Sequence, residues 1–281
     1  MKNYQLAASD IAAFGQHLRQ EERAAATIEK YQRDMREFAA WLNGRAVTKE
    51  AALEWKESLL RGGASPATVN GKLSALNSLF RFLGWDECRV KSLHLQRRVF
   101  REQGRELSRE EYLRLLETAR ASGQERLELL MEAICSTGIR VSEVRYLTVE
   151  AVRGGQAVIS LKGKIRTILL PGKLCRKLLR YARKQKIASG EIFLTRGGKS
   201  LSRKQIWREM KRLCRRAEVE PGKVFPHNLR HLFAVCFYRV CRDIVKLSDV
   251  LGHSSIETTR IYLLTTGAEH ARCLDKLQLI C

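Results

Sequence analysis

One spacing constrains the fold more than any other feature. In "TIEKYQRDMREFAAWL", Ile28, Tyr31, Met35, Phe38 and Leu42 recur at alternating intervals of three and four. That interval lines them along one face of an α-helix. "SPATVNGKLSALNSLFRFLG" repeats the pattern with Val69, Leu73, Leu76, Phe80 and Leu83. Ser65 suits the N-cap, Pro66 the first turn and Gly84 the stop. Weaker helical patterns cover about 9–20 and 48–60, so residues 1–95 read as a four-helix unit. Its aromatic and leucine side chains belong to the core.

A different pattern follows. In "CRVKSLHLQRRVFREQGREL", Arg97, Arg98, Arg101 and Arg105 succeed one another without apolar periodicity. Residues 96–106 therefore read as a basic linker that also touches nucleic acid, its four arginines laid along a phosphate backbone. A second unit, 107–281, opens at Ser108 and Glu111 with the spacing of a capping box. In "QAVISLKGKIRTILLPG", β-branched runs flank a Lys-Gly-Lys turn, a hairpin signal. "EIFLT" is expected to add a short strand, and helices are expected over 202–217, 227–240, 242–251 and 255–264. The fold class is mainly α with a small antiparallel sheet, in two domains.

Charge narrows the partner. The chain has 52 Lys and Arg against 30 Asp and Glu, a formal net charge of +22. Such a surplus repels itself unless a polyanion is near, and nucleic acid is the commonest. The eight cysteines (88, 135, 175, 214, 236, 241, 273 and 281) form no CxxC or Cys/His knuckle. Reduced thiols in a cytoplasmic protein fit better than a disulfide scaffold or zinc finger. No run nears the roughly 18 apolar residues that span a membrane.

Four short stretches carry polar residues of chemical interest. In "CSTGIRVSEVRYL", Gly138 ends one helix and Arg140 stands near the start of the next. The helix dipole disfavours a cation there, and an anion held between them resolves the conflict. Glu143, one turn on, could brace the guanidinium. In "VFPHNLRHLFA", His227 and Arg230 share a helix face. His231 lies four from His227, but the glutamate of an HExxH zinc site is missing, so no metal is expected. Lys162 and Lys164 flank Gly163 at the hairpin tip. In "LGHSSIETTRIY", Leu251-Gly252 closes a helix and leaves His253 at an exposed end. Ser254 or Ser255 caps the next, with Tyr262 about two turns along. Singly, each stretch is explained by packing or a solvated surface.

Together, in this order, they resemble the tyrosine recombinase or phage integrase family. "STGIRVSE" looks like the family's first arginine box. "KGK" is similar to its lysine turn, "HNLRH" to its H-x-L-R-H box, and "LGHSS" with "TTRIY" to its second histidine and nucleophile segment. The resemblance covers essentially the whole chain. It implies a SAM-like core-binding domain over 1–95 and a catalytic domain over 107–281. It also implies six catalytic residues: Arg140, Lys162, His227, Arg230, His253 and the nucleophile Tyr262. Lys164 is the alternative to Lys162.

Moving a phosphodiester to tyrosine requires a phenol of pKa about 10 to lose its proton. The non-bridging oxygens need positioned donors, and the leaving 5′-oxygen needs a proton. Arg140 and Arg230 can hold the oxygens, with His253 as a third donor. The resemblance implies His227 as acid/base partner of the tyrosine and the hairpin lysine as acid for the leaving oxygen. With cationic side chains around the phosphate no cofactor is expected, and the sequence agrees in offering no carboxylate cluster for two metals and no P-loop. The implied partner is a double-stranded recombination site, bound by a homotetramer across two sites. The 267–281 tail suits docking on its own domain or on a neighbour. A type IB topoisomerase and a non-catalytic DNA-binding regulator are the rival readings.

Overall fold

The computed structural model describes residues 4–95, 104–161, 164–253 and 255–263, and the chain divides into two compact units, Met1–Arg97 and Arg98–Cys281. In the first, α1 (Ala8–Gln20), α2 (Ala25–Leu42), α3 (Lys49–Arg61) and α4 (Pro66–Leu83) enclose one core. The three-and-four stripe is buried as its spacing requires: Ile28, Met35, Phe38 and Leu42 of α2 meet Val69, Leu73, Leu76 and Phe80 of α4. The Phe38 ring centre lies 4.9 Å from that of Trp55 and 6.3 Å from that of Phe80. Ser65 Oγ accepts from the Thr68 amide, and Gly84 closes α4 at φ +72°.

The second unit is built around α6 (Glu125–Thr137), which packs against α5 (Arg109–Ala121), α8 (Gly172–Lys184), α9 (Arg203–Ala217) and α10 (Pro226–Cys241). Ser108 and Glu111 form the expected capping box at the start of α5. A short α7 (Val149–Arg153) leads into the hairpin of β1 (Gln156–Leu161) and β2 (Lys164–Leu169), paired antiparallel with Gln156 opposite Leu169 and Leu161 opposite Lys164. Side chains alternate across this ribbon. Ala157, Ile159, Ile168 and Leu170 are buried, whereas Val158, Ile165 and Leu169 are exposed. Two short helices, α11 (Ile244–Leu251) and α12 (Ile256–Arg260), finish the described chain.

Two expectations need correction. "EIFLT" adds no strand, and the described sheet has two strands. Glu191 and Leu194 make only isolated bridges, to Thr148 and Ser200. The neighbours Ile192 and Phe193 are both buried, so the stretch is held by core packing on both sides rather than by a strand ladder. The single helix expected over 255–264 is α12 followed by a tighter 3₁₀ turn, Ile261–Leu263, so Tyr262 sits on that turn. Lys162, Arg97, Arg98, Arg101, Ser254 and the tail from 264 lie outside the described residues. The six described cysteines are free thiols. No described helix is long and apolar enough to cross a membrane.

Candidate active site

Five of the singled-out side chains line one open cleft of about 340 Å³: Arg140, His227, Arg230, His253 and Tyr262. They come from four places in the chain, three of them fixed by a local device. Gly138 ends α6 in the left-handed region at φ +65°, and a Cβ there would lie 2.5 Å from the Phe233 ring. The turn it permits starts a six-residue 3₁₀ helix, Val141–Tyr146, with Arg140 at its N-cap. Pro226 occupies the first position of α10 and sets the entry that brings His227 and Arg230 onto the cleft face. Gly252 closes α11 at φ +61° and releases His253.

The arginines are held through carbonyls. Arg230 is 3% exposed and donates to the Gly138 and Leu251 carbonyls, the latter at 2.8 Å. Arg140 Nη1 donates to Glu143 Oε1 at 3.0 Å and Nη2 to the Gly252 carbonyl at 3.2 Å. Glu143 Oε2 accepts from the Arg140 amide at 2.9 Å. Glu143 is thus a buried carboxylate that links the start of the 3₁₀ turn to the Arg140 guanidinium. Burial alone would raise its pKa. The Arg140 amide and the guanidinium groups of Arg166 and Arg140 overcome that and hold it below the usual range.

A cluster of cations in a half-buried cleft depresses the basicity of its members. Burial, then Arg140, lowers Arg230 to about 10, with Tyr262 acting in the opposite direction. Burial followed by Arg230, Arg140 and Arg166 lowers His253 to about 4. His227 is lowered by burial, Arg230 and His231. Both imidazoles are therefore neutral near pH 7 in the free protein.

His253 is not at an exposed end. It is half-buried, with Nε2 2.9 Å from Arg230 Nη2 and Nδ1 2.8 Å from Thr259 Oγ1. A guanidinium only donates, so Nε2 accepts and the Nδ1 proton points to Thr259. The Tyr262 ring stacks on His253 at 5.8 Å between centres and 17° between planes. It also lies 6.1 Å from His227 and 5.1 Å from His231. Tyr262 is 3% exposed and packs with Ala234, Leu247 and Leu251 while lining the cleft. It is a packing residue and a cleft residue at once.

Lys164 is the first residue of β2. Arg105 lies at the start of the second unit, where its carbonyl accepts from Asn228 Nδ2 at 2.9 Å. Sequence reasoning missed three contributors. Arg203, at the first turn of α9, lines the cleft, and Thr259 is fully buried against His253. Arg166 contacts Glu143 and the end of α11. Its position in the hairpin alternation was the available signal: it falls on the buried face, opposite Ile159.

A model of the phage integrase family matches residues 105–268, and one of the phage integrase N-terminal SAM-like domain matches residues 11–87. The chain belongs to the phage integrase family. Tyrosine recombinase XerA of Pyrococcus furiosus is 28% identical over all of this chain and 98% of that protein. Tyrosine recombinase XerD of Rhizobium meliloti is 31% identical over 92% and 91% of the two chains. The fold is also that of the Tn1549 transposon integrase in complex with transposon right end DNA, at TM-score 0.74, 17% identity and coverage of 96% and 99%. The activity class of this integrase-family chain is that of a tyrosine-type site-specific recombinase.

Proposed function

We propose that Tyr262 attacks a phosphodiester of a double-stranded recombination site, with Arg140, Arg230 and His253 as the phosphate clamp. The observation that supports this is the convergence of five side chains on one basic cleft. The tyrosine Oη–P bond forms as the P–O5′ bond breaks. The phenol proton passes to His227, and the leaving oxygen takes a proton from the hairpin lysine, Lys162 or alternatively Lys164. The product is a 3′-phosphotyrosine and a free 5′-hydroxyl. Attack by another strand's 5′-hydroxyl reverses the step without ATP.

His253 has a specific requirement. Its Nε2 accepts from Arg230 in the free protein, so donating to a phosphate oxygen requires a proton on Nε2, either as the imidazolium or as the tautomer in which Thr259 Oγ1 donates to Nδ1. The charge of an arriving phosphate favours a proton there. From Arg203 at the cleft, α9 continues with exposed Lys204, Arg208, Arg212, Arg215 and Arg216, a cationic track suited to the DNA backbone. The linker arginines 97, 98, 101 and 105 would extend it, and the N-terminal unit would add a second contact with the duplex. Assembly as a homotetramer on two sites in the cytoplasm completes the reading.

The test is covalent trapping on nicked duplex carrying the target site. The expected outcome is a chelator-insensitive protein–DNA adduct that Tyr262→Phe abolishes. An adduct in Tyr262→Phe, or one that needs Mg²⁺, would refute the assignment. Supercoil relaxation with no exchange between two sites would favour a topoisomerase instead.

A further inference from the structure

Arg166 occupies a place that the hairpin's alternation reserves for an apolar residue. Its strand partner Ile159 is 1% exposed, and the Arg166 side chain retains 16% of its own exposure. A buried guanidinium is costly unless its hydrogen bonds are made. Here Nη2 donates to Glu143 Oε2 at 2.6 Å, and Nη1 donates to the Val250 carbonyl at 3.3 Å and to the Leu251 carbonyl. Nε is buried without a hydrogen-bond partner among the described residues. The contact with the following turn is close: a Cβ on Gly252 would lie 2.6 Å from Arg166 Nη1.

Two of these partners, Glu143 and Leu251, and the adjoining Gly252 already hold a member of the cleft. Glu143 grips Arg140 through Nη1 and the backbone amide. The Leu251 carbonyl that accepts from Arg166 also accepts from Arg230. Gly252 gives its carbonyl to Arg140 and leads directly into His253. Without Arg166, Glu143 keeps one of its two cations, and the 250–252 turn loses its tie to the sheet.

We propose that Arg166 is a positioning residue for the phosphate clamp. It acts through Glu143 on Arg140 and through the Leu251–Gly252 turn on Arg230 and His253. This rests on the reading of the cleft given above. A lysine cannot replace it, because two diverging donors must reach a carboxylate and a helix-end carbonyl simultaneously. Arg166 itself touches no reacting atom in this role.

The experiment measures strand cleavage and DNA affinity for the parent, Arg166→Lys and Arg166→Met on three duplexes. One has the ordinary scissile phosphate. The second has a methylphosphonate there, which removes one anionic oxygen and lessens the demand on the clamp. The third has sulfur as the 5′-leaving atom, which needs no proton from a general acid. Loss of a clamp donor should slow cleavage of the ordinary phosphate by about 100-fold or more, with affinity close to the parent's, and with a lower melting temperature in Arg166→Met, which breaks the buried pair with Glu143 from one side. On the methylphosphonate both variants should fall within about tenfold of the parent, the fraction of that loss left when the clamped charge is reduced. The sulfur substrate should restore nothing.

Equal losses on ordinary phosphate and methylphosphonate would mark a general structural role and overturn the proposal. Rescue by sulfur would move the defect to the hairpin lysine and overturn it as well, as would undiminished cleavage of the ordinary phosphate. If Arg166→Met does not fold, Arg166→Lys decides alone, because it keeps the charge and loses the fork. Tyr262→Phe runs in parallel on the ordinary phosphate. Cleavage surviving there defeats the reading of the cleft, whatever the Arg166 variants do.

Discussion

At the scale of single residues, the cleft is a set of basic groups whose proton occupancy is set first by burial and then by one another. His253 shows this best. Its folded pKa of about 4 lies below the 6.5 of an unperturbed imidazole. Between those values the unfolded chain binds more protons, so stability rises with pH across that window. The stabilising contribution is complete above about pH 6.5 and is lost as the pH falls toward 4. His227 shifts in the same direction. His253→Asn should therefore flatten the fall in denaturation midpoint between pH 6.5 and 4, and a midpoint curve parallel to the parent's would refute this. Gly252 makes a second prediction. An alanine there suffers both the positive φ and the approach of Arg166, at a cost of about 1–3 kcal/mol. Part of that should return in the Arg166→Ala background, where only the backbone strain remains, as a double-mutant cycle would show.

Most of these side chains were legible in the sequence because the boxes around them are short and ordered. Arg140, His227, Arg230, His253 and Tyr262 do meet at one cleft. What the boxes could not convey was how each is held. The Nδ1–Thr259 bond and the two carbonyls that grip Arg230 join residues far apart in the chain, and no local pattern announces them. Arg166 was readable in principle, since period-two alternation already placed it on the buried face.

At the scale of elements, the cleft depends on chain ends rather than helix middles: the N-cap of a 3₁₀ turn, the first turns of α9 and α10, and the C-terminus of α11. Such ends leave backbone groups unpaired, and these serve as the clamp's anchors. Strong periodicity made α2 and α4 legible. The 255–263 stretch misled because five residues of α12 are too few for periodicity to reveal the tightening into a 3₁₀ turn at Ile261. Glu143 tests the role of an end directly. Glu143→Ala removes the acceptor of the Arg140 amide and the counter-charge of two guanidiniums. Breaking a buried pair from one side costs about 3–5 kcal/mol. Glu143→Gln keeps an acceptor for the amide and should cost clearly less by urea denaturation, while cleavage falls in both. Equal stability losses would mean that charge, not the cap, holds this turn.

At the scale of the whole molecule, two hydrophobic cores share no residue. One contains Phe38, Trp55 and Phe80, and the other Leu130, Ile134 and Leu229. All the described cleft residues belong to the second unit. A fragment starting at residue 104 should accordingly fold on its own and show a cooperative thermal transition. It should also cleave nicked duplex at high protein concentration, because every group assigned to the chemistry remains. Its affinity for DNA should differ from that of the full chain in a particular way. Each phosphate neutralised by Lys or Arg releases counterions, so the dependence of log affinity on log salt counts those contacts. With a net charge of +22, the full chain should bind steeply less as salt rises. The fragment should show a shallower slope together with weaker binding. Weaker binding at an unchanged slope would mean that the N-terminal unit reads bases or shape without touching phosphates. An unchanged slope and affinity would confine the DNA interface to the catalytic unit.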